Sequence, residues 1–282
     1  MITKQIKYAP LKSIGLMSRF KGVYFLTSFV TKLDRQGNAY ARMQIDDLTG
    51  SQVVYCRDAS CIHGKLSPNS LVHIEARFER GLKGSFLCCK YIQSVSSKQS
   101  GFNDIQQLPM RVCRDQHSLI KMVTLLSLIR CESLKRFVIG IVLSEDVGIK
   151  LLKCPTDVCL NDNNAKSLLS DIVTLAQSLL DSRHMICISG DIAIAVGLLY
   201  DIGKCLMFTH DARLASLGFL LSCRELTMRI CAPALVELEK TNPQEARTLA
   251  VMLGDSHLKS RLCTRPFTQS AQHLSQTLVL QR

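Results

Sequence analysis

The sequence predicts an α+β protein in which an N-terminal five-stranded OB-fold β-barrel precedes an all-helical domain. Apolar and polar residues alternate up to about residue 95, and apolar residues recur at helical spacing after residue 110. The segment between these regions is polar and has no period. We therefore place an OB-fold domain at residues 1–95, a linker at 96–110, a helical domain at 111–265 and a tail at 266–282.

The first region contains five strand-sized segments rich in Val, Ile, Phe and Tyr. Gly, Asn and Asp residues typical of turns separate them. Five short strands within about 75 residues favour a small closed barrel, and the OB-fold is a five-stranded barrel of this size. The segments are VYFLTSFVTKL, AYARMQIDD, SQVVYCRD, LVHIEARFER and SFLCCKYIQSV.

Alternation along the strands predicts which side chains face the core, because neighbouring strand residues point to opposite faces. The predicted inward residues are Ala41, Met43, Ile45, Val54 and Cys56. Outward Tyr and Arg residues on adjacent strands would form a stacking platform with phosphate partners, which suits single-stranded nucleic acid. Ordinary cross-strand pairing of exposed aromatic and basic side chains is the alternative. The candidate nucleic-acid-binding residues are Tyr40, Arg42, Tyr55, Arg57, Arg77 and Lys83.

Positive charge is concentrated in the predicted barrel. The chain has a formal net charge of +12; residues 1–100 contain 15 Lys and Arg against 6 Asp and Glu, whereas residues 101–282 contain 20 against 17. Clustered Lys and Arg neutralise phosphates, so this asymmetry favours a nucleic-acid partner for the first domain. A basic surface that serves only solubility is the alternative.

The remaining composition indicates a protein of a reducing compartment. Hydrophobic residues make up 47% of the chain, which is enough for buried cores without disulfides. The 13 cysteines include no C-x-x-C spacing, so reduced thiols that pack as small hydrophobes are expected. The sequence shows neither a signal peptide nor an apolar run of about 20 residues. We therefore expect a soluble, cytoplasmic protein with no membrane partner.

The second region carries a helical pattern. Leu, Ile, Val and Met recur there at spacings of three and four, as on helices with one buried face. The segment TNPQEARTL also contains a helix start signal, with Thr or Asn as the cap, Pro in the first turn and Glu245 shortly after. The predicted helical segments are QHSLIKMVTLLSLIRC, CESLKRFVIGIVLS, AKSLLSDIVTLAQSLLD, DIAIAVGLLYDI, RLASLGFLLSCRELTMRICAPALVELEK and NPQEARTLAVMLGDSH.

Four segments of the helical region are similar to motifs of a known family. They are CPTDVCLNDNNAKSLLSDIVTLAQ, GLLYDIGKC, LASLGFLLSCREL and VMLGDSH. With the order of barrel, linker and helical domain, they resemble the YhaM-like group, in which an OB-fold precedes an HD-type phosphohydrolase domain acting as a 3′ to 5′ exonuclease. The resemblance spans roughly residues 20–260 and implies an HD-like fold for the helical domain.

Most metal-binding residues of that family are absent at the matching positions. In HD domains, His and Asp side chains from several helices hold one or two divalent metals, which activate water to attack a phosphodiester. Asp201 matches the family pattern, as do Gly203 and Lys204. The resemblance therefore implies a catalytically degenerate domain without a bound cofactor. The family's His positions fall on Asn161, Asp162, Asp171, Tyr200, Phe219, Asp255 and Ser256.

An enzymatic alternative remains open. Four aspartates offer carboxylates that would hold Mg²⁺ or Mn²⁺ if they converge, which would give a metal-dependent 3′ to 5′ exonuclease or phosphodiesterase. Clustered carboxylates without a shared metal repel one another, so convergence without an ion is unfavourable. The four residues are Asp162, Asp171, Asp201 and Asp255.

The retained YDIGK segment also has a structural interpretation. An Asp-Ile-Gly turn would end the preceding apolar helix, Gly203 would permit a positive φ there, and Lys204 would complement the helix dipole. The leading hypothesis is therefore a protein that binds single-stranded DNA or RNA, with an inactive HD-like domain as scaffold or as a surface for a protein partner or homo-oligomer. HD-type helical domains also occur in some conjugative relaxases, so an accessory subunit of a conjugation or mobile-element complex is a further alternative.

Overall fold

A computed structural model describes residues 9–81, 84–95, 104–156, 166–184, 188–209 and 213–254. The chain divides into two compact units. Residues 1–113 and 142–149 belong to the first, and residues 114–141 and 150–282 belong to the second. The first unit contains a closed β-barrel and the second is helical, so the predicted α+β class is confirmed.

The barrel has the topology of an OB-fold. Antiparallel pairing joins β1 to β2, β2 to β3, β1 to β5 and β5 to β6, and a short parallel pairing of β3 with β6 closes the barrel. The two-residue β4 adds to the edge of β6. All five predicted strand segments are present. The strands are β1 (Arg19–Leu33), β2 (Ala39–Asp46), β3 (Ser51–Cys56), β4 (Ile62–His63), β5 (Ser70–Gly81) and β6 (Gly84–Ser94).

Alternation in the strands fills the barrel core as predicted. The five predicted inward residues are all buried, and Met43, Ile45 and Val54 are fully so. Tyr24 is a buried polar exception whose hydroxyl donates a hydrogen bond to the Ala9 carbonyl at 2.8 Å. Burial and the nearby charge of Asp47 raise the pKa of the Tyr24 hydroxyl, so it remains a hydrogen-bond donor.

The turn between β1 and β2 forms where the sequence reads DRQGN. The Asp34 carboxylate accepts hydrogen bonds from the backbone N–H groups of Gln36 and Asn38 at 2.8 and 2.9 Å. Gly37 has a φ of +83°, a conformation that glycine adopts without steric cost. Hydrogen bonds from Asn38 and Gln36, with the nearby charge of Arg57, lower the pKa of Asp34.

Part of the predicted linker packs on the barrel unit. A short 3-10 helix spans Ile105–Gln107, and the Leu48 N–H donates to the Gln106 carbonyl at 2.9 Å. Farther along, Arg111 forms an ion pair with the buried Asp46 at 3.0 Å. Residues 104–113 therefore belong to the first unit in structure.

Helices form in all six predicted segments, one of which is divided, and two short helices that were not predicted form at Gly148–Lys153 and Lys204–Met207. The segment predicted as one helix from Arg213 to Lys240 forms two, because Ser222 caps the second of them. The Glu225 N–H donates to Ser222 Oγ at 3.3 Å, and the Ser222 N–H donates to the Glu225 carboxylate at 2.7 Å. The helices are α1 (Gln116–Leu128), α2 (Glu132–Val142), α3 (Gly148–Lys153), α4 (Leu168–Ser182), α5 (Gly190–Leu199), α6 (Lys204–Met207), α7 (Ser216–Leu220), α8 (Cys223–Thr241) and α9 (Pro243–Gly254).

Helix α5 lies in the centre of the helical unit and is buried on nearly all sides. It packs against α4 so closely that a Cβ on Gly197 would lie 2.2 Å from the Ala176 Cα. A helix that is apolar all round must be enclosed by other elements, which explains its uninterrupted AIAVGLL sequence. No helix in the part of the chain that the structure describes is long and apolar enough to span a membrane.

Candidate nucleic-acid interface

A cluster of aromatic rings lies on the outer wall of the barrel where β2, β3 and β6 meet. The Tyr40 and Tyr55 ring centroids are 6.2 Å apart, and those of Tyr55 and Phe86 are 6.0 Å apart at nearly right angles. The Arg57 guanidinium lies 4.9 Å from the Phe86 ring centroid, within the range of a cation–π contact. Tyr40, Tyr55, Phe86 and Arg57 are hereafter called the ring cluster.

Strand register explains why these side chains meet. Arg42 is opposite Tyr55 across β2 and β3, and Tyr55 is opposite Cys88 across the parallel pairing of β3 and β6. The side chains of Met43 and Val54 are buried in the core. Because neighbouring strand residues point to opposite faces, the side chains of Arg42 and Tyr55 point outward. The three rings are half-buried and Arg57 is exposed, so the ring cluster is in contact with solvent.

The structure thus brings together three of the predicted residues, Tyr40, Tyr55 and Arg57. Arg42 is half-buried on the same wall, opposite Tyr55. Lys83 lies outside the described residues. Phe86 was not among the predicted binding residues, although the alternation in SFLCC marks it as outward, since its neighbour Leu87 is buried.

Arg77 lies farther along the wall and is held by an acidic side chain. It stands on β5 opposite Cys88, so Cys88 separates it from Tyr55 in the register. Its guanidinium forms an ion pair with Glu79 at 2.9 Å, and Lys90 contacts the same Glu79 oxygen at 2.8 Å. Hydrogen bonds from Lys90 and Arg77 lower the pKa of Glu79 to about 2.

A second carboxylate on β5 holds two further cations. Glu75 contacts Arg19 and Lys21, each at 2.6 Å. Their hydrogen bonds lower the pKa of Glu75. Glu75 stands opposite Tyr91, which packs with His63 and His73 on β4 and β5 and not with the ring cluster.

Thiols line the inner side of the wall beneath the ring cluster. Cys56 and Cys89 are free thiols that are buried in the barrel core and pack there among apolar side chains. A hydrogen bond from the Cys89 thiol lowers the pKa of Cys56 to about 7, and the same contact raises the pKa of Cys89.

The YDIGK segment of the helical unit is used for packing. Asp201 is buried, and its carboxylate lies 3.5 Å from Lys204 Nζ. The Thr227 hydroxyl on α8 accepts a hydrogen bond from the Gly203 N–H at 3.0 Å and donates one to the Tyr200 carbonyl at 3.2 Å. These contacts fix the turn after α5 against α8.

The reason for glycine at position 203 differs from the predicted one. Gly203 has a φ of −58°, so the turn does not use the positive φ that glycine permits. The backbone of α8 approaches so closely that a Cβ at this position would lie 2.0 Å from the Cys223 carbonyl oxygen and 2.6 Å from the Thr227 nitrogen. Glycine is required here for lack of space.

Two of the four aspartates proposed for a rebuilt metal site lie within the described residues. Asp171 is half-buried in the first turn of α4, and Asp201 is paired with Lys204. Asp162 and Asp255 lie outside the described residues. Within the described ranges, no group of three or more His, Cys, Asp or Glu side chains is arranged to hold a metal ion. Phe219, at a family His position, lies on α7 with 74% of its surface exposed.

Comparison with known proteins does not assign the chain to a family. No protein-family model matches the chain, and no curated protein sequence matches it. The similarity of the helical region to HD-type domains therefore stays a prediction.

Proposed function

We propose that the barrel unit binds single-stranded nucleic acid on the outer wall formed by β2, β3 and β6. The observation that carries this proposal is the ring cluster, in which three solvent-contacting rings lie about 6 Å apart beside an arginine. Unpaired bases stack on such rings, whereas bases in a duplex are already stacked on one another. The topology supports the same surface, because OB-folds bind oligonucleotides on the face of their second and third strands.

The charges of the barrel region support a polyanionic ligand. Residues 1–100 have nine more Lys and Arg than Asp and Glu. Arg57 lies within the ring cluster and Arg42 is opposite Tyr55. In this proposal both arginines contact phosphates beside a stacked base. Phosphate contacts of this kind make affinity fall as salt rises.

Removal of one ring should weaken binding. Tyr55→Leu and Phe86→Leu should each reduce affinity for a labelled oligonucleotide by about 1–3 kcal/mol, which is roughly 5-fold to 150-fold, because each ring supports a stacked base. Fluorescence anisotropy with single-stranded DNA and RNA at several salt concentrations measures this loss. Tyr91→Leu is the matched control, since Tyr91 is an aromatic residue on the same strand β6 that contacts His63 and His73.

Two results would contradict the proposal. The first is absence of salt-dependent binding to any single strand by the wild-type chain. The second is equal loss of affinity in Tyr55→Leu and Tyr91→Leu, because the ring cluster would then have no special role.

For the helical unit we propose a scaffold without catalytic activity. The support is the packing of Asp201, whose carboxylate is paired with Lys204, and of Gly203, which fits tightly against α8. Labelled single strands incubated with Mg²⁺ or Mn²⁺ should therefore stay full length. Degradation that is lost in Asp201→Asn would favour the metal-dependent exonuclease instead.

A further inference from the structure

Glu79 stands at the edge of the ring cluster. In the register of β5 and β6 it is opposite Phe86, the ring on which Arg57 rests. A strand of nucleic acid that crosses the wall from Tyr55 over β6 would meet Arg77 next, because Tyr55 and Arg77 are both opposite Cys88. Arg77 is therefore the next cation on this path, but its guanidinium is paired with the Glu79 carboxylate.

Glu79 restrains two cations at once. One of its oxygens contacts Arg77 at 2.9 Å and Lys90 at 2.8 Å, while the Arg77 and Lys90 side chains keep 55% and 37% of their surface exposed. A phosphate that approached either cation would have to replace this carboxylate and would be repelled by its charge. Because the pKa of Glu79 is about 2, the repulsion persists at every pH where binding is measured.

We propose that Glu79 sets the β5 edge of the nucleic-acid interface by keeping Arg77 and Lys90 from phosphates. This inference rests on the proposed function of the ring cluster and adds to it the residue that limits its extent. Arg77, a predicted phosphate ligand, is on this view latent: it becomes a ligand when the carboxylate of Glu79 is removed.

The chain provides a matched control in Glu75. This residue lies on the same strand, holds the two cations Arg19 and Lys21 at 2.6 Å, and carries the same charge as Glu79. It stands opposite Tyr91 and not opposite Phe86. Its cations lie on β1, where Lys21 is opposite Glu75 and Arg19 is opposite Arg77, so both are one strand farther from the ring cluster than Arg77. Glu79→Gln and Glu75→Gln therefore change net charge equally and differ in position.

The experiment measures the salt dependence of binding. Each phosphate contact contributes about 0.7 to the slope of log K against log salt for single strands, so release of two cations in Glu79→Gln should steepen the slope by up to about 1.4. Anisotropy titrations with a labelled single strand at four or more salt concentrations give the slope. Addition of Arg77→Ala and Lys90→Ala to Glu79→Gln should return it to the wild-type value, and circular dichroism confirms that each variant is folded.

The outcomes separate this inference from the proposed function. A steeper slope in Glu79→Gln, with Glu75→Gln like wild type, supports the inference. An unchanged slope in Glu79→Gln, or an equal change in both variants, overturns it while leaving wild-type binding by the ring cluster in place. Failure of the wild-type chain to bind any single strand overturns the proposed function and this inference together.

Discussion

The barrel and the helical unit place chemically capable residues in opposite environments. On the barrel, Tyr55, Phe86 and Arg57 lie on an outer wall in contact with solvent, above a core filled by the inward residues of the same strands. In the helical unit, Asp201 and Gly203 are enclosed between α5 and α8. A motif residue can therefore be retained for packing, whereas the half-buried rings beside Arg57 lie on the outer wall and leave one side open to solvent.

Among the substitutions that test this comparison, we expect the largest change in the free energy of unfolding at Gly203. Gly203→Ala places a Cβ 2.0 Å from the Cys223 carbonyl oxygen, and backbone atoms cannot yield as a flexible side chain does. We expect a loss of about 3 kcal/mol in the free energy of unfolding, at the upper end of typical overpacking costs. Urea denaturation followed by circular dichroism measures it.

Gly254→Ala is the control for this substitution. Among the described residues, a Cβ on Gly254 at the end of α9 meets no heavy atom within 4 Å. Its unfolding free energy should stay within about 1 kcal/mol of wild type, because only helix propensity changes. A Gly203→Ala variant as stable as wild type would show that the turn after α5 has room for a side chain, and the packing interpretation of YDIGK would be wrong.

An intermediate effect is expected when Asp201 loses its charge. Asp201→Asn leaves the Lys204 ammonium, whose side chain is only 15% exposed, without its carboxylate partner. We expect destabilisation by about 1–3 kcal/mol, since a mostly buried charge then lacks compensation. Thermal and urea unfolding of the folded variant measure the change.

The matched control is another pair with the same i, i+3 spacing. Glu237 and Lys240 on α8 form an ion pair whose side chains are 69% and 64% exposed. Exposed pairs contribute little because solvent screens them, so Glu237→Gln should stay within about 0.5 kcal/mol of wild type. Equal stability of Asp201→Asn and wild type would remove the structural explanation for the retained aspartate.

The sequence was more informative about the barrel than about its surface. All five strands and their inward residues follow from alternation, because a strand with one buried face repeats every two residues. Phe86 follows from the same rule. Alternation also places Arg77 and Glu79, two residues apart on β5, on the same face of the strand. The contact of Lys90 with the same Glu79 oxygen does not follow from it, since it joins β6 to β5 and depends on how these strands pair.

In the helical unit, one local signal was recognised, another was missed, and the close contacts could not be predicted. The start of α9 follows from TNPQE, because its Pro243 is the first residue of the helix. The division before α8 has a signal too, since Ser222 and Glu225 have the spacing of a capping box, but it lies within a long apolar pattern. The tight contact of Gly203 with Cys223 joins segments 20 residues apart. One strand or helix pattern cannot reveal such a contact.

The smallest effect concerns the ion pairs on the barrel wall. The pKa of Glu79 is lowered from 4.5 to about 2 by Lys90 and Arg77, so the folded state holds the carboxylate charged at a pH where the unfolded chain takes up a proton. Its contribution to stability is complete above about pH 4.5 and is lost as the pH falls toward 2. As the pH falls between these limits, the free energy of unfolding should therefore decrease less in Glu79→Gln than in wild type. The difference between the two decreases should be below about 1 kcal/mol, because solvent screens the pairs.

Urea denaturation at pH 7, 4.5 and 3 tests this expectation. Glu75→Gln should shift in the same direction, since Lys21 and Arg19 also lower the pKa of Glu75. If both variants followed the wild-type curve down to pH 3, these ion pairs would not hold the carboxylates charged in solution. The contacts of Glu79 with Arg77 and Lys90 would then be too weak to restrain these cations, and the contrast between an open ring cluster and a restrained β5 edge would disappear.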